Sequence, residues 1–583
     1  MKVLQQGLDG LDASEPFDLL VVGAGGAGLA CALLAALDGA RVLLVERTGL
    51  VGGTTALSAG TTWVPGNAHS AEVNPGDTLD QARSYLDHAV GEHSPRALRE
   101  AFLAHGRRAI ETLEARTDVR FRPYPRHPDY LSDLPGSTLC GRALEPLPFD
   151  GRQLGALFGL LRPPIPEFTV LGGMMVDRTD IGHLLGVRRS LTSLRHSVRL
   201  LARHALDRLR HPRGTRLVMG NALVGRLLLS LSRQAGVTLA LNTSLDGIER
   251  DAHGVVGATL RHQGQTRPVR LRGGLVLASG GFNRHPQWRE RLLPGIPPAW
   301  SPGAPGHTGE AQALTLALGA HHGTAAKSHA FWAPCSLRQR ADGSRAVFPH
   351  FVMDRAKPGM ITVNQRGERF LNESTSYHQF GLAMQAAHAQ TPSIPAWLVC
   401  DADALRAYGI GMVRPGGRGL APFLADGYLR QGATLAELAT QLGMDAGCLQ
   451  ASVAQNNAAA LAGHDAAFGR GVTAYQQNLG DPARAGAGGN PNLGPLQTAP
   501  FYAVQLYPGD IGAATGLVTD AQARVLDGGH QPIAGLYAIG NDMQSIMGGA
   551  YPAPGITIGP GLVFAHLASR DAVSRAQRAG TPD

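Results

Sequence analysis

Residues 18–46 restrict the fold of this chain more than any other stretch. Asp18-Leu19-Leu20-Val21-Val22 is a short apolar run, followed by Gly23-Ala24-Gly25-Gly26-Ala27-Gly28. A helix-like segment then leads to Arg41-Val42-Leu43-Leu44-Val45-Glu46. Each glycine of G-x-G-x-x-G has a physical task. Gly23 permits the tight turn out of the strand, Gly25 lets backbone approach a pyrophosphate, and Gly28 lets the helix pack close to the sheet. The helix N-terminus offers free N–H groups and a positive dipole end to phosphates. Glu46 stands where a carboxylate accepts hydrogen bonds from an adenosine ribose. Both strands, the helix and the acid are present, so the unit predicts dinucleotide binding. The uncharged run from Leu19 to Leu37 has the length of a membrane span, but its glycine spacing fits the dinucleotide turn, so no span is expected.

Downstream segments point to FAD. Gly52-Gly53-Thr54-Thr55-Ala56-Leu57-Ser58-Ala59-Gly60 supplies small residues and hydroxyls that can follow a pyrophosphate and ribityl chain to a flavin. Gly274–Phe282 and Gly535–Asp542 are two more buried strands ending in glycine. No second complete G-x-G-x-x-G unit is evident, which argues against a separate NAD(P) domain. The expected cofactor residues are Gly23, Ala24, Gly25, Gly26, Ala27, Gly28, Glu46, Arg47, Gly53, Thr54, Thr55, Ser58, Ala59, Gly60, Gly280, Gly540, Asn541, Gly555 and Ile558. This pattern resembles the flavoproteins of the fumarate reductase and succinate dehydrogenase superfamily. Some of those attach FAD covalently through a His-Thr pair after the Gly-Gly segment. No His stands there in this chain, so the resemblance implies non-covalent FAD.

The expected fold class is α/β: a Rossmann-like FAD-binding domain built from both chain ends, with an inserted α+β catalytic domain. Residues 1–330 and 502–583 form the first and 331–501 the second. A length of 583 residues exceeds one core. Five scattered cysteines without C-x-x-C argue for a reducing compartment and against iron–sulfur or zinc sites, and no metal is expected. Residues 1–17 carry Asp and Glu and lack an apolar core, so no signal peptide is read there and a cytoplasmic location is expected.

Charge is concentrated in one insert, roughly 150–217. Between Arg188 and Arg216 lie nine arginines against one acid, Asp207, so this segment carries the whole formal charge of +8. Val187, Leu191, Leu194, Val198, Leu201, Ala205 and Leu209 recur at helical spacing, with Arg195, Arg199 and Arg203 on another face. His196, His204 and His211 lie among them and would add charge at mildly acidic pH. Segment 187–216 reads as an amphipathic helix on an anionic membrane surface, peripheral on the inner face of the cell membrane. The alternative is a helix that packs its stripe on its own domain. Nucleic acid is disfavoured because no aromatics are interleaved. Leu154–Leu161 is apolar and glycine-broken, and is expected to dip into the same interface.

The chemistry concentrates in Met547-Gly548-Gly549-Ala550-Tyr551-Pro552-Ala553-Pro554-Gly555-Ile556-Thr557-Ile558-Gly559-Pro560-Gly561. Two prolines fix the backbone and lack N–H donors, leaving the Gly555 N–H free beside the Tyr551 phenol. Together they can hold one ligand oxygen as an oxyanion hole. Gly-Pro-Gly then opens a helix whose N-terminus faces the flavin. Tyr-Pro-x-Pro-Gly-x-Thr-Ile-Gly-Pro resembles the signature of bacterial 3-ketosteroid Δ1-dehydrogenases. The similarity extends over Asp18–Gly66, Pro128–Pro146, Val363–Tyr377, Ala467–Tyr475 and Phe501–Ala568, and breaks at the insert. Asn372-Glu373-Ser374-Thr375-Ser376-Tyr377, Pro128-Asp129-Tyr130 with Gly141-Arg142, Phe468-Gly469-Arg470-Gly471 and Pro508-Gly509-Asp510-Ile511-Gly512 are similar to family segments. Ala553 departs from the glycine of many members.

The resemblance implies roles. Tyr551 and the Gly555 N–H would hold a steroid C3 carbonyl oxygen, Tyr377 would remove the C2 proton, and Tyr130 would relay it, with hydride passing from C1 to flavin N5. Tyr124, six residues before Tyr130, is an alternative for the relay. A free tyrosine has a pKa of about 10 and burial raises it, so Tyr377 needs a second phenol or a positive field. The implied substrate is a steroid or another hydrophobic cyclic ketone, and the implied electron acceptor is a carrier such as a quinone. Alternatives are desaturation at C4–C5 of a 5α-ketosteroid, fumarate-type reduction, and a flavin-bearing membrane protein with a degenerate site. Fumarate-type reduction needs arginines and a His to hold two carboxylates, which are not evident beside 547–561.

Overall fold

The structure is a computed structural model that describes residues 1–580 apart from 325 and 353. Its larger sheet places six parallel strands in the order Lys2–Leu4, Val237–Ala240, Val42–Val45, Phe17–Val22, Gln265–Leu277, Pro532–Ala538. Numbered along the chain from Phe17–Val22, the inner five follow the 3-2-1-4-5 path of a doubly wound sheet, whose ligand crevice opens where that order reverses. The reversal lies between Phe17–Val22 and Gln265–Leu277, and both strands end in glycine-containing loops, Gly23 and Gly280. These strands read as continuous apolar runs because both faces are covered. One cover is the helix Gly26–Leu37, which packs against the C-terminal helix Ile558–Gly580. The sheet is thus closed by the chain's last strand and last helix. Leu19–Leu37 is a strand, a turn and a helix, and among the described residues no helix is long and apolar enough to cross a membrane.

A second sheet is antiparallel, in the order Arg345–Pro349, Ala330–Gln339, Phe501–Ala513, Ala396–Cys400, Met360–Val363, with Arg430–Gly432 against Phe501–Ala513. Phe501–Ala513 pairs first with Ala396–Cys400 and then with Ala330–Gln339, which binds the sheet together. The helix Tyr377–His388 packs on Ala330–Gln339 and carries Tyr377 at its N-terminus, capped by Ser376. A small third sheet of Thr62–Trp63, Ala143–Pro146 and Phe121–Pro123 supports the loop that holds Tyr130.

The insert departs from expectation in three ways. Its long helix spans Leu191–Arg208, leaving Val187 and Leu209 outside. The helix buries a polar face of Ser193, Ser197, His204 and Asp207 with Leu200, and exposes the apolar stripe. Leu191 is 81% exposed, Val198 56% and Leu209 80%, so the stripe does not pack on its own domain. The polar face is tolerated because its charged and ring groups find partners: Asp207 accepts from the Thr215 N–H and hydroxyl at 2.8 Å, and the His204 ring donates to the Leu171 carbonyl. Second, Arg203, Arg213 and Arg216 face inward, to Asp150, Asn221 and Asp180, while Arg188, Arg189, Arg195, Arg199, Arg208 and Arg210 stay exposed. Third, Leu154–Leu161 does not dip outward. Leu154, Phe158 and Leu161 are buried in the main core, with Arg213 stacked on Phe158.

Candidate active site

One continuous cavity of about 980 Å³ runs from the glycine loops of the larger sheet to the face of the second. Its first part is the cofactor end. Gly23, Gly25, Gly26, Ala27, Glu46, Arg47, Gly53, Thr54, Thr55, Ser58, Ala59, Gly60, Gly280, Gly540, Asn541, Gly555 and Ile558 all line it. Ala24 and Gly28 stand behind the wall. Ala24 donates its N–H to Glu46 Oε2 at 3.0 Å, and a Cβ on Gly28 would lie 1.9 Å from the Gly23 carbonyl oxygen. A Cβ on Gly25 would meet nothing within 4 Å, so its backbone faces open cavity at the uncapped N-terminus of Gly26–Leu37. That cradle fits a dinucleotide pyrophosphate. The Gly280 loop is pinned by buried Asp542, whose Oδ1 accepts from the Ser279 hydroxyl at 3.0 Å and the Gly281 N–H at 3.2 Å. Burial pushes the Asp542 carboxyl up to about 6.

Three tyrosines meet beyond this end. Tyr130 donates its hydroxyl to Tyr377 at 3.1 Å. Tyr551 stacks on Tyr130 at 5.8 Å between centroids and meets the edge of Tyr377 at 5.2 Å. All three line the cavity and are 6–7% exposed. The Pro552 carbonyl, next to Tyr551, accepts from the Tyr130 N–H at 2.7 Å and the Tyr85 hydroxyl at 2.5 Å, which locks the first and last of these segments together. Asp129 is held by Arg142 and by the Trp63 indole N–H, so Gly141-Arg142 serves as an anchor for Tyr130. Gly555 has φ +90°, and a Cβ there would lie 2.3 Å from the Thr61 carbonyl oxygen, so glycine is required. Its N–H donates to no acceptor among the described residues.

Tyr124 is in the cavity wall but apart from this cluster. Its hydroxyl pairs with Thr61 at 3.1 Å and its ring lies under Arg178.

Burial, and then the neighbouring phenols, hold the Tyr377 hydroxyl well above its ordinary pKa, and Tyr130 follows the same direction. One feature opposes this: Tyr377 begins a helix, whose N-terminus is positive. Arg355, fully buried, donates to the Glu373 and Thr375 carbonyls at 2.6 Å, directly before Tyr377, and its charge bears on the phenols of Tyr475 and Tyr130. The family-like Asn372–Tyr377 and Phe468–Gly471 segments are joined by ions: Glu373 binds Arg369 at 2.8 Å and Arg470 at 3.4 Å.

Several contributors were not singled out in the sequence. Tyr475 packs 4.6 Å from Tyr130. His378 follows Tyr377, accepts from the Trp332 N–H at 3.2 Å and bonds the Gly549 carbonyl, tying the Tyr377 helix to the Tyr551 loop. Burial holds it neutral, down to about 4. Ile165, Phe168, Val170, Met175, Ile181 and Leu184 bring the insert into the cavity as an apolar wall. The alternation of apolar positions there was the available signal, and the arginine pattern beside it masked it.

A dinucleotide cradle opening onto an apolar chamber with three phenols defines a flavoenzyme. The chain belongs to the FAD-binding domain family, whose model matches residues 18–558, and its cofactor is FAD. It is 36% identical to a 4-oxocyclohex-2-ene-1-carboxylate 5-dehydrogenase of Sinomonas cyclohexanicum, over 95% of this chain and 93% of that one. It is 33% identical to a 3-oxosteroid 1-dehydrogenase of Mycolicibacterium smegmatis, over 97% and 99%. The crystal structure of the 3-ketosteroid Δ1-dehydrogenase from Sterolibacterium denitrificans, in complex with 1,4-androstadiene-3,17-dione, superposes with a TM-score of 0.88 at 33% identity, covering 96% and 99%.

Proposed function

We propose that this protein is an FAD-dependent oxidoreductase that desaturates the C1–C2 bond of 3-ketosteroids. The observation that carries the reading is that Tyr551 and Gly555, whose N–H donates to no described residue, line the same cavity as the hydrogen-bonded Tyr130–Tyr377 pair. Tyr551 and Gly555 bind the C3 carbonyl oxygen and stabilise the negative charge that grows there, an effect worth about 2.7–4 kcal/mol per donor. That charge acidifies C2–H, and Tyr377 takes the proton. Tyr130, donating to Tyr377, passes it on. FAD, held without a covalent link, supplies the acceptor for the hydride from C1. The chain's part is to bind, orient and exclude water. The apolar wall of the insert suits a fused-ring substrate.

A second reading, a smaller cyclic ketone bearing a carboxylate, is favoured by the likeness to the Sinomonas enzyme. Anaerobic mixing of the purified protein with 4-androstene-3,17-dione separates them. Flavin bleaching with formation of the 1,4-diene supports the steroid reading. Bleaching by 4-oxocyclohexanecarboxylate alone removes it.

The insert gives the partner. Exposed Leu191, Val198 and Leu209 beside six exposed arginines suit an anionic bilayer surface. Leu185 is 75% exposed and also lines the cavity, so substrate dissolved in lipid meets the mouth directly. A membrane quinone is the matching electron acceptor. Co-sedimentation with phosphatidylglycerol vesicles, and its loss in a Leu191→Ser/Val198→Ser/Arg195→Ala/Arg199→Ala variant, tests this. Equal binding by the variant sinks it.

A further inference from the structure

The insert also reaches the cofactor end of the cavity, through one side chain. Its backbone runs beside the Gly52-Gly53-Thr54 segment. Val51 and Leu161 form a parallel bridge, the Val51 N–H donates to the Leu160 carbonyl at 2.8 Å, and the Arg162 N–H donates to the Val51 carbonyl at 2.9 Å. Arg162 is therefore fixed at the base of its side chain. That side chain is 9% exposed and lines the cavity. Nη2 donates to Thr48 Oγ1 at 2.9 Å, and Thr48 Oγ1 in turn donates to Glu46 Oε1 at 2.8 Å. Nε is buried and has no hydrogen-bond partner, and no carboxylate of the described residues forms an ion pair with this guanidinium.

Arg47, the cation expected at this end from the sequence, is differently placed. It is more exposed and is already paired with Glu310 at 2.8 Å. Burial pushes the Arg162 guanidinium down and the nearby Glu46 charge only partly offsets it; an arginine withdrawn from water without a directly paired anion carries a desolvation cost that an incoming anionic or strongly accepting ligand relieves. The group that fits is the diphosphate-ribose part of a dinucleotide, because Arg162 stands one hydrogen-bonded step from Glu46, the ribose-binding position, on a wall shared with Thr54 and His307.

We propose that Arg162 binds the adenosine diphosphate portion of FAD, so that the insert clamps the cofactor as well as walling the substrate chamber. The proposal rests on the FAD site of the family. It makes flavin binding and insert order one event: loss of the cofactor frees the segment that follows Arg162, and loss of Arg162 loosens the cofactor.

Isothermal titration of the flavin-free protein with FAD and, separately, with ADP tests the assignment. Arg162→Ala is expected to weaken both ligands by about 10- to 100-fold, the range for one charge-assisted hydrogen-bonding group. Arg162→Lys recovers part of the loss. Arg152→Ala, in the same insert but on an exposed pair with Asp150, binds both ligands as the unmodified chain does. Unchanged ADP and FAD affinity in Arg162→Ala overturns the proposal. Failure of the unmodified chain to bind FAD would instead overturn the family's site. Should Arg162→Ala not fold, hydrogen exchange on the unmodified protein decides: ADP alone slows exchange at the amides of 160–162, or the clamp does not exist.

Discussion

Tyr130 donates its hydroxyl to Tyr377 across 3.1 Å, although the two residues lie 247 positions apart. One comes from the loop on the small N-terminal sheet and the other from the first turn of a helix on the second sheet. Among the described residues neither has a carboxylate or imidazole as its hydrogen-bond partner, so any proton the pair handles is handled by phenols. Burial keeps both neutral, which makes the helix N-terminus and the neighbouring Arg355 the electrostatic support for ionising one of them.

The three phenols are expected to differ on removal. Tyr377→Phe lowers the rate of flavin reduction by about 10²- to 10⁴-fold, the share of a general base. Tyr551→Phe costs about 10²- to 10³-fold through the oxyanion position. Tyr130→Phe costs less, because Tyr377 keeps its place. Stopped-flow reduction by a ketosteroid, with flavin content checked by absorbance, measures all three. A Tyr377→Phe enzyme at full rate removes the assigned base.

The rate is expected to rise with pH. A base whose pKa is raised by burial is ionised in a fraction that grows about tenfold per pH unit below that pKa. kcat/KM therefore climbs from pH 6 towards 9 without a plateau near neutrality. A flat profile over this interval contradicts the phenol base.

Gly555→Ala should disable the site without emptying the cofactor cradle. The added Cβ would meet the Thr61 carbonyl oxygen at 2.3 Å from a left-handed backbone. The loop must move, and the N–H moves with it. The expected result is retained FAD with turnover reduced at least as far as in Tyr551→Phe.

Stability should fall in acid through buried neutral histidines. His127, His307 and His378 are each pushed down to about 4 by burial, against an ordinary value of about 6.5. Between these values the unfolded chain binds protons that the folded chain does not, so stability rises with pH across that window and is lost as pH falls from 6.5 towards 4. Each contributes on the order of 3 kcal/mol at the acid end. Thermal unfolding at pH 7, 6 and 5 reads this as a progressive drop in Tm, shallower in a His378→Asn variant.

The ion cluster behind Tyr377 gives a separate prediction. Burial opposes ionisation of Glu373, yet Arg369 and Arg470 hold its carboxyl below the usual range. Glu373→Gln leaves two buried guanidiniums short of an acid and is expected to cost about 3–5 kcal/mol of stability. Urea unfolding measures it, and an unchanged midpoint would show that Asp465 alone balances both cations.

Most residues read from the sequence as the cofactor end line one cavity, because each glycine there answers to a local steric demand. Strand, turn and helix followed from that demand within a few residues. Tyr551 was legible from the prolines and glycine beside it, but Tyr377 only through motif resemblance, since nothing local to either says that they meet. Tyr475, His378 and Arg355 act through contacts between distant segments and leave no periodic trace. The insert misled in a different way. Its stripe and its arginines were both read, but periodicity does not say which side of a helix faces the protein. Here Asp207, His204 and Ser193 took the inner side by pairing with loop and neighbouring-helix atoms, and Ser197 is buried beside them. Leu154–Leu161 looked like an interface loop because apolar and glycine-rich segments suit a buried 3-10 turn equally well.

The sheet that frames the dinucleotide cradle is completed by Pro532–Ala538, and Tyr551 and Gly555 come later still. On the ribosome, the first strands of that sheet are made long before that neighbour exists. A growing chain therefore holds no finished cradle, and one cut short before Pro532 lacks that strand as well as Tyr551 and Gly555. The order of segments along the chain thus makes capture of the cofactor a late event of synthesis.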